Sequence, residues 1–342
     1  MAYNSERDNK ALADVMHVIA SRTAIAIIGA GVSAPLGYPL WRGLVDVLAS
    51  EVERRTGPVI EVGDGLSVPI ARVKELKALV AAKFLKAALG PAYVEIMRDI
   101  FGPREGHDEA LHLLIQLPIQ HFVTANYDPS LERAHERANA PFKSVVGYEI
   151  DFRQMVTHIN DGQLPRHVFH AHGRYDHPES IILTEDDYGA LYTNSQVTRP
   201  LWALAQTRQF VFFGFSLEDF DLMRGFTAAK RMLDFGCRHF AVLDLEDNPD
   251  AEDNEIKRRL DLRTIFGIEP IFYLRKGKDF ATGYTRTLEI IKTGVDGLLT
   301  APRPAAEIVR PEAAPEAAER DAQRLTSLSS GNVDRRLVGD LE

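Results

Sequence analysis

The run Ala24-Ile25-Ala26-Ile27-Ile28-Gly29-Ala30-Gly31-Val32-Ser33-Ala34-Pro35 constrains the fold more than any other stretch. Its apolar, partly β-branched start predicts a strand buried on both faces, as in parallel sheets. The strand must stop at Gly-Ala-Gly. Gly29 permits a tight turn, and Gly31 lets the pyrophosphate of a ligand approach the backbone. Ser33 adds a hydroxyl, and N–H groups at the start of the next element favour an anion. The pattern Gly29-x-Gly31-x-x-Ala34 also fits the ordinary dehydrogenase fingerprint. The same residues could also make nothing more than a tight strand–helix connection, the lesser reading given the tips of the other expected strands.

The residues after Ser33 argue against a dehydrogenase. Residues 34–43, Ala-Pro-Leu-Gly-Tyr-Pro-Leu-Trp-Arg-Gly, hold prolines and glycines that a regular helix does not tolerate. A dehydrogenase places a helix here and an acid at a second strand tip about 20 residues on. Here residues 44–55 read as helix, with Asp46 and Glu51 on its face. The expectation is a loop folding over the cradle, with Trp41 as an apolar lid or as loop packing.

Strands and helices then alternate. Residues 10–21 read as a helix ahead of the first strand. Residues 56–66 are a Gly/Pro-rich break, and 70–89, 91–101 and 108–117 read as helices. A helical insertion over about 44–117 therefore separates the first strand from the second. Further strands are expected at 120–125, 167–171, 209–213, 239–244 and 270–274, with helices from Ser130, within 181–193 (capped by Thr184), at 197–208 and at 218–234. Residues 141–160 have mixed character. The sum is a doubly wound, mostly parallel Rossmann-like α/β sheet of about six strands. Residues 1–300 form the nucleotide-binding domain. From Ala301 the chain is rich in Pro, Ala, Glu and Arg and reads as a flexible tail with a short helix near 315–325.

The chain has 342 residues, enough for a large α/β core, and a net charge of −9. That charge argues against unaided binding to nucleic acid or an anionic membrane. Its single cysteine, Cys237, excludes a disulfide framework or a four-cysteine zinc site within one chain. No apolar run reaches about 20 residues and the first ten are polar, so a cytoplasmic protein with no membrane span is expected. His167, His170, His172 and His177 lie close in sequence, but no acid or cysteine sits at ligand spacing, so no metal is expected.

Four expected strands end in polar or glycine-rich tips: Gly29-Ala30-Gly31, Asn126-x-Asp128, His172-Gly173 and Gly214-x-Ser216. In an open parallel sheet, ligands bind beyond the carboxyl ends of the strands. Each tip also has a plainer reading. Asn126-x-Asp128 could be an Asx turn capping the helix at Ser130, and His172 could be a structural histidine.

Together these tips resemble the sirtuins. Gly29-Ala30-Gly31-Val32-Ser33 followed by Gly37-Tyr38-Pro39-x-Trp41-Arg42 is similar to the sirtuin opening. Thr124-Ala125-Asn126-Tyr127-Asp128 resembles the threonine-x-asparagine-x-aspartate element. His172-Gly173 resembles the histidine-glycine that carries the base, and Gly214-Phe215-Ser216-Leu217 the later nucleotide loop. The stretches Asn126-Tyr127-Asp128-Pro129-Ser130-Leu131-Glu132 and Leu183-Thr184-x-x-Asp187-Tyr188 look like the bacterial sirtuin-like branch, many of whose members cleave NAD+ in antiphage defence. The chain departs from the deacetylases in lacking a four-cysteine zinc module and in Ala125, where they usually carry glutamine.

The resemblance implies NAD+ as substrate and hydrolysis to ADP-ribose and nicotinamide. It assigns Asn126, His172 and Asp128 to catalysis. It assigns Gly29, Ala30, Gly31, Ser33, Trp41, Thr124, Gly214, Phe215 and Ser216 to binding the dinucleotide. Asn126 would orient the nicotinamide ribose or the attacking water, and His172 would act as base. Asp128 would reach a ribose hydroxyl or the carboxamide, or brace Asn126. It also implies a homo-oligomer, and control by a partner such as a hexameric translocase ATPase of the HerA kind. A non-catalytic module binding NAD+ or ADP-ribose, and a protein deacylase or ADP-ribosyltransferase, are the alternatives.

Overall fold

The computed structural model describes residues 6–62, 65–106, 108–146, 166–193, 204–215, 217, 239–277 and 279–301. Helix α1 (Glu6–Ala20) leads into β1 (Ala24–Ile28), every residue of which is buried. No long helix follows β1. Two short 3₁₀ turns, Ala30–Val32 and Ala34–Leu36, carry the chain to α2 (Trp41–Thr56). Pro35 sits in the first turn of the second, and Gly37 ends it at φ +86°, a left-handed conformation suited to glycine.

The next segment is a hairpin of β2 (Val59–Glu61) and β3 (Ser67–Pro69), then α3 (Ile70–Lys74), α4 (Ala78–Leu89) and α5 (Ala92–Phe101). Helix α6 (Glu109–Gln116) precedes β4 (His121–Thr124). After it come α7 (Ser130–Arg137), β5 (Phe142–Val146), β6 (Arg166–His170) and α8 (Glu185–Thr193). The last described elements are β7 (Gln209–Phe213), β8 (His239–Glu246), α9 (Ala251–Asp261), β9 (Ile268–Arg275) and α10 (Ala281–Thr300).

Among the described residues the main sheet has seven strands in the order β5-β6-β4-β1-β7-β8-β9, and every neighbouring pair is parallel. From β1 the chain moves outward through β4, then returns to the other side of β1 as β7. This reversal is the switch point at which open α/β sheets bind ligands. The expected α/β architecture stands, with two corrections. Among the described residues the main sheet has seven strands where about six were expected, because β5 lies in the stretch of mixed character. The Gly/Pro-rich break at 56–66 contains most of the β2–β3 hairpin.

Alternation along the strands divides the core. Ala24, Ala26, Ile28, Phe122, Val168, Val211 and Phe213 pack against α1, α6, α7 and α10. Ile25, Ile27, Val123, Phe169, Phe210 and Phe212 pack on the opposite face with Leu204 and Leu262. A third core belongs to α2–α5 and includes Tyr127, Ile181 and Leu183, which follow β4 and β6. The inserted helices are therefore seated on the carboxyl ends of those strands. Helix α6, within the expected insertion over about 44–117, contributes Leu111 and Leu114 to the first core instead. The expected helices at 218–234 and 315–325, the first part of 197–208 and the tail from 302 lie outside the described residues.

Candidate active site

The tips of β6, β4, β1 and β7 stand side by side in the sheet, and they are the four polar or glycine-rich ones. Their spacing follows from register. Ile28 pairs with Thr124 and with Phe213, and Thr124 pairs with His170. The next residues on each strand are Gly29, Ala125, Ala171 and Gly214.

At the β1–β7 junction the glycines bring backbone against backbone. The N–H of Gly29 donates to Phe213 O at 2.9 Å, and that of Gly31 to Gly214 O at 2.9 Å. A Cβ on Gly29 would lie 2.5 Å from Gly214 O, and one on Gly214 would lie 2.5 Å from the Val32 nitrogen. Gly214 also has φ +60°. The glycine pattern is thus accounted for first by two strands meeting, and these two amides point at β7. Ala30 and Gly31 are half-buried between them.

At β4 the side chains are drawn into one hydrogen-bonded cluster. Thr124 Oγ1 donates to Ile28 O at 3.3 Å and accepts from the Asn126 N–H at 3.0 Å. Asn126 Nδ2 donates to Gly29 O and to Ser33 Oγ, both at 3.1 Å. Ser33 Oγ donates to Asp128 Oδ2 at 2.8 Å, and the Ser130 N–H donates to Asp128 Oδ1 at 3.0 Å. Asp128 therefore braces Asn126 through Ser33 and also caps the start of α7. Burial pushes the Asp128 carboxyl above its usual range, against the opposing hydrogen bonds from Ser130 and Ser33.

His172 follows β6 and is buried, with its Nδ1 3.4 Å from the Tyr188 hydroxyl and the two rings edge to face at 5.2 Å. Gly173, at φ +88°, turns the chain so closely over Ser180 that a Cβ would meet its backbone. The His172 carbonyl accepts from the Ile182 N–H at 2.9 Å. Helix α8, which carries Tyr188, begins with a reciprocal cap. The Asp187 N–H donates to Thr184 Oγ1, and Asp187 Oδ2 accepts from the Leu183 and Thr184 N–H groups. Lys86 of α4 reaches the same Asp187 oxygen at 3.0 Å, tying the inserted helices to this edge.

The structure brings Gly29, Ser33, Thr124, Asn126 and Asp128 into direct contact, with Gly31, Gly214 and Phe215 at the adjoining junction. Phe215 packs its ring against Phe212 within the second core. Ser216 lies outside the described residues. Trp41 is placed differently from the expected loop. It opens α2, half-buried, and packs against the core of the inserted helices. Tyr188, His170 and Glu132 were not expected as site residues. Their partners are distant in the chain; Tyr188 and Glu132 lay within stretches that resembled the sirtuin-like branch, and His170 stood out only among the clustered histidines. Among the described residues no group of three or more His, Cys, Asp or Glu is arranged to hold a metal ion, and no helix is long and apolar enough to cross a membrane.

Among solved structures, Sir2Tm bound to a propionylated peptide aligns with 84% of this chain and 99% of that chain, at 14% identity and a TM-score of 0.31. That likeness is slight, and the fold rests on the strand order above. The NAD(+) hydrolase ThsA of Bacillus cereus (strain MSX-D12) is 24% identical over 261 residues, covering 74% of this chain and 50% of that protein. ThsA of Enterococcus faecium is 26% identical over 262 residues, covering 71% and 50%. The chain thus spans about half the length of the curated relatives it matches. Residues 120–271, from just before β4 into β9, match the family model described as SIR2-like domain.

Proposed function

We propose that the chain is an NAD+ glycohydrolase, with the dinucleotide lying across the tips of β6, β4, β1 and β7. The observation that carries this reading is the strand order. It makes neighbours of four tips that are far apart in sequence and are the polar or glycine-rich ones. The similarity to the ThsA NAD(+) hydrolases supports the same chemistry.

The C1′–nitrogen bond to nicotinamide breaks with its electron pair leaving on the neutral base, and charge develops on the ribose, as in glycoside hydrolysis. Water adds to C1′ and gives up a proton. The Ala30–Ser33 turn and the Gly214–Phe215 loop lie on the diphosphate and adenosine side. Asn126 orients the nicotinamide ribose or the water, and its orientation is held by Gly29, Ser33 and Asp128. His172 takes the proton, as histidines do near neutral pH. The products are ADP-ribose, nicotinamide and a proton.

An unrestrained enzyme of this kind would drain the dinucleotide pool of its own cell. The reading therefore includes restraint by self-association or by a partner, and use as an effector in antiphage defence. Purified protein, alone and with its genomic neighbours, is expected to release nicotinamide from NAD+. Asn126→Ala and His172→Ala should each lower turnover by roughly 100-fold or more. Unchanged turnover in both variants would end the assignment.

One observation favours a second reading. The Asn126 amide and the Asp128 carboxylate are both engaged by neighbouring protein groups. A module that binds NAD+ or ADP-ribose without cleaving it needs no more than this. Saturable binding with no product, even in the assembled complex, would favour that module.

A further inference from the structure

Behind the tips of β4 and β6 lies a buried pair with no part in the chemistry above, His170 at the end of β6 and Glu132 on α7. His170 is fully buried. Its Nδ1 is 2.9 Å from the carbonyl oxygen of Asn126, and its Nε2 is 2.7 Å from Glu132 Oε1. A carbonyl only accepts, so Nδ1 carries a proton, and the second contact also needs a proton between imidazole and carboxyl. Ser144 Oγ of β5 donates to the same Glu132 oxygen at 2.7 Å. Arg174 Nη1 donates to Ser144 Oγ at 2.8 Å and lies 3.6 Å from Glu132 Oε1. The remaining nitrogens of Arg174 hold Asp176 at 2.6 and 2.8 Å.

This arrangement sits between two ties of the backbone ladder. The N–H of Ala171 donates to Thr124 O, and that of Tyr175 donates to Tyr127 O, both at 2.9 Å. Between these ties run Ala125 and Asn126 on one segment and His172, Gly173 and Arg174 on the other. The Asn126 carbonyl there is met by the His170 ring. One oxygen of Glu132 therefore gathers an arm from each tip. His170 runs to Asn126, and Arg174 runs to the segment that follows His172. Burial alone would push Glu132 up, but His170 and the hydrogen bonds outweigh it and hold the carboxyl down at about 2. Its other oxygen is buried with no hydrogen-bond partner among the described residues. Stability alone does not call for a buried carboxylate satisfied on one side.

We propose that Glu132 is a positioning residue that sets where Asn126 and His172 stand relative to each other, acting through His170 and Arg174. Only the kinetic arm of its test rests on the NAD+-cleaving reading. The full chain is compared with Glu132→Ala, Glu132→Gln and Arg174→Met by amide hydrogen exchange and by NAD+ turnover. Glu132→Ala should speed exchange over 125–128 and 171–175 by about tenfold or more, while β8 and β9 exchange as before. Arg174→Met should loosen 171–175 alone. Turnover per folded molecule should fall by up to about 100-fold in Glu132→Ala with KM within about threefold, and Glu132→Gln should fall between.

Wild-type exchange at both tips would overturn the proposal. So would loosening spread evenly over the chain, which a merely structural role produces. If Glu132→Ala does not fold, Glu132→Gln and Arg174→Met decide the same question. If the wild type cleaves no NAD+, the reading of function fails while the exchange arm still decides this one.

Discussion

At the ends of β1 and β7, two strands meet through what their residues lack. Gly29, Gly31 and Gly214 pack backbone on backbone, with the carbonyls of Phe213 and Gly214 accepting from glycine N–H groups. At the ends of β4 and β6 the joining is done by what the residues carry: His170, Glu132, Ser144 and Arg174, with Asn126, Ser33 and Asp128 beside them. The first junction tolerates almost no added atom and is insensitive to charge. The second is built of buried polar groups whose geometry depends on their protons. A nucleotide lying across both would meet a rigid floor at one end and an adjustable one at the other.

The largest expected effect breaks the glycine junction. Gly214→Ala combines a left-handed backbone with a Cβ 2.5 Å from the Val32 nitrogen. Denaturant unfolding should show a loss of roughly 2–4 kcal/mol. A loss below about 0.5 kcal/mol would show that the junction gives way and is not the rigid half.

The next effect separates two carboxylates four residues apart. Asp128 is raised from 3.8 by burial, so the folded state holds its proton longer than the unfolded chain does. Its contribution is present below 3.8 and is lost as pH rises through the folded value. Glu132 is lowered from 4.5 to about 2, so its contribution is present above 4.5 and is lost as pH falls through about 2. Stability measured against pH should therefore respond oppositely. Asp128→Asn should lose less stability than the wild type as pH rises from about 4, and Glu132→Gln should lose less as it falls from about 4. Parallel curves for the two variants would contradict the division.

The smallest effect lies outside both junctions. Lys86→Met removes the partly exposed pair with Asp187 and should cost less than about 1 kcal/mol. Altered turnover in this variant would give the inserted helices a direct hold on the His172 edge.

The glycine junction was the legible one. Gly29, Gly31 and Gly214 announce themselves because glycine after an apolar run has few other uses, and β7 falls on the expected residues 209–213. The parallel sheet followed from alternating strands and helices. Strand β5 was not legible, since Phe142-Lys143-Ser144-Val145-Val146 is an edge strand, half-buried and interrupted by polar residues. The small β2–β3 hairpin falls in and just beyond residues that signal only a break. Trp41 read as loop because of the prolines before it, yet α2 begins at that residue. The Glu132–His170 pair joins residues 38 positions apart, and no local pattern records such a contact. Asn126 and Asp128 were legible as a tip, and bracing of Asn126 by Asp128 was one expectation, but the link through Ser33 from the neighbouring β1 tip joins residues more than 90 positions apart and no local pattern records it.

The most direct measurement is a crystal structure of the His172→Ala variant with NAD+ bound. The account predicts the diphosphate beside Ala30–Ser33 and Gly214, and the nicotinamide ribose between Asn126 and the position of the missing imidazole. A dinucleotide bound elsewhere, or bound here with its nicotinamide end turned away from the β4 and β6 tips, would contradict it.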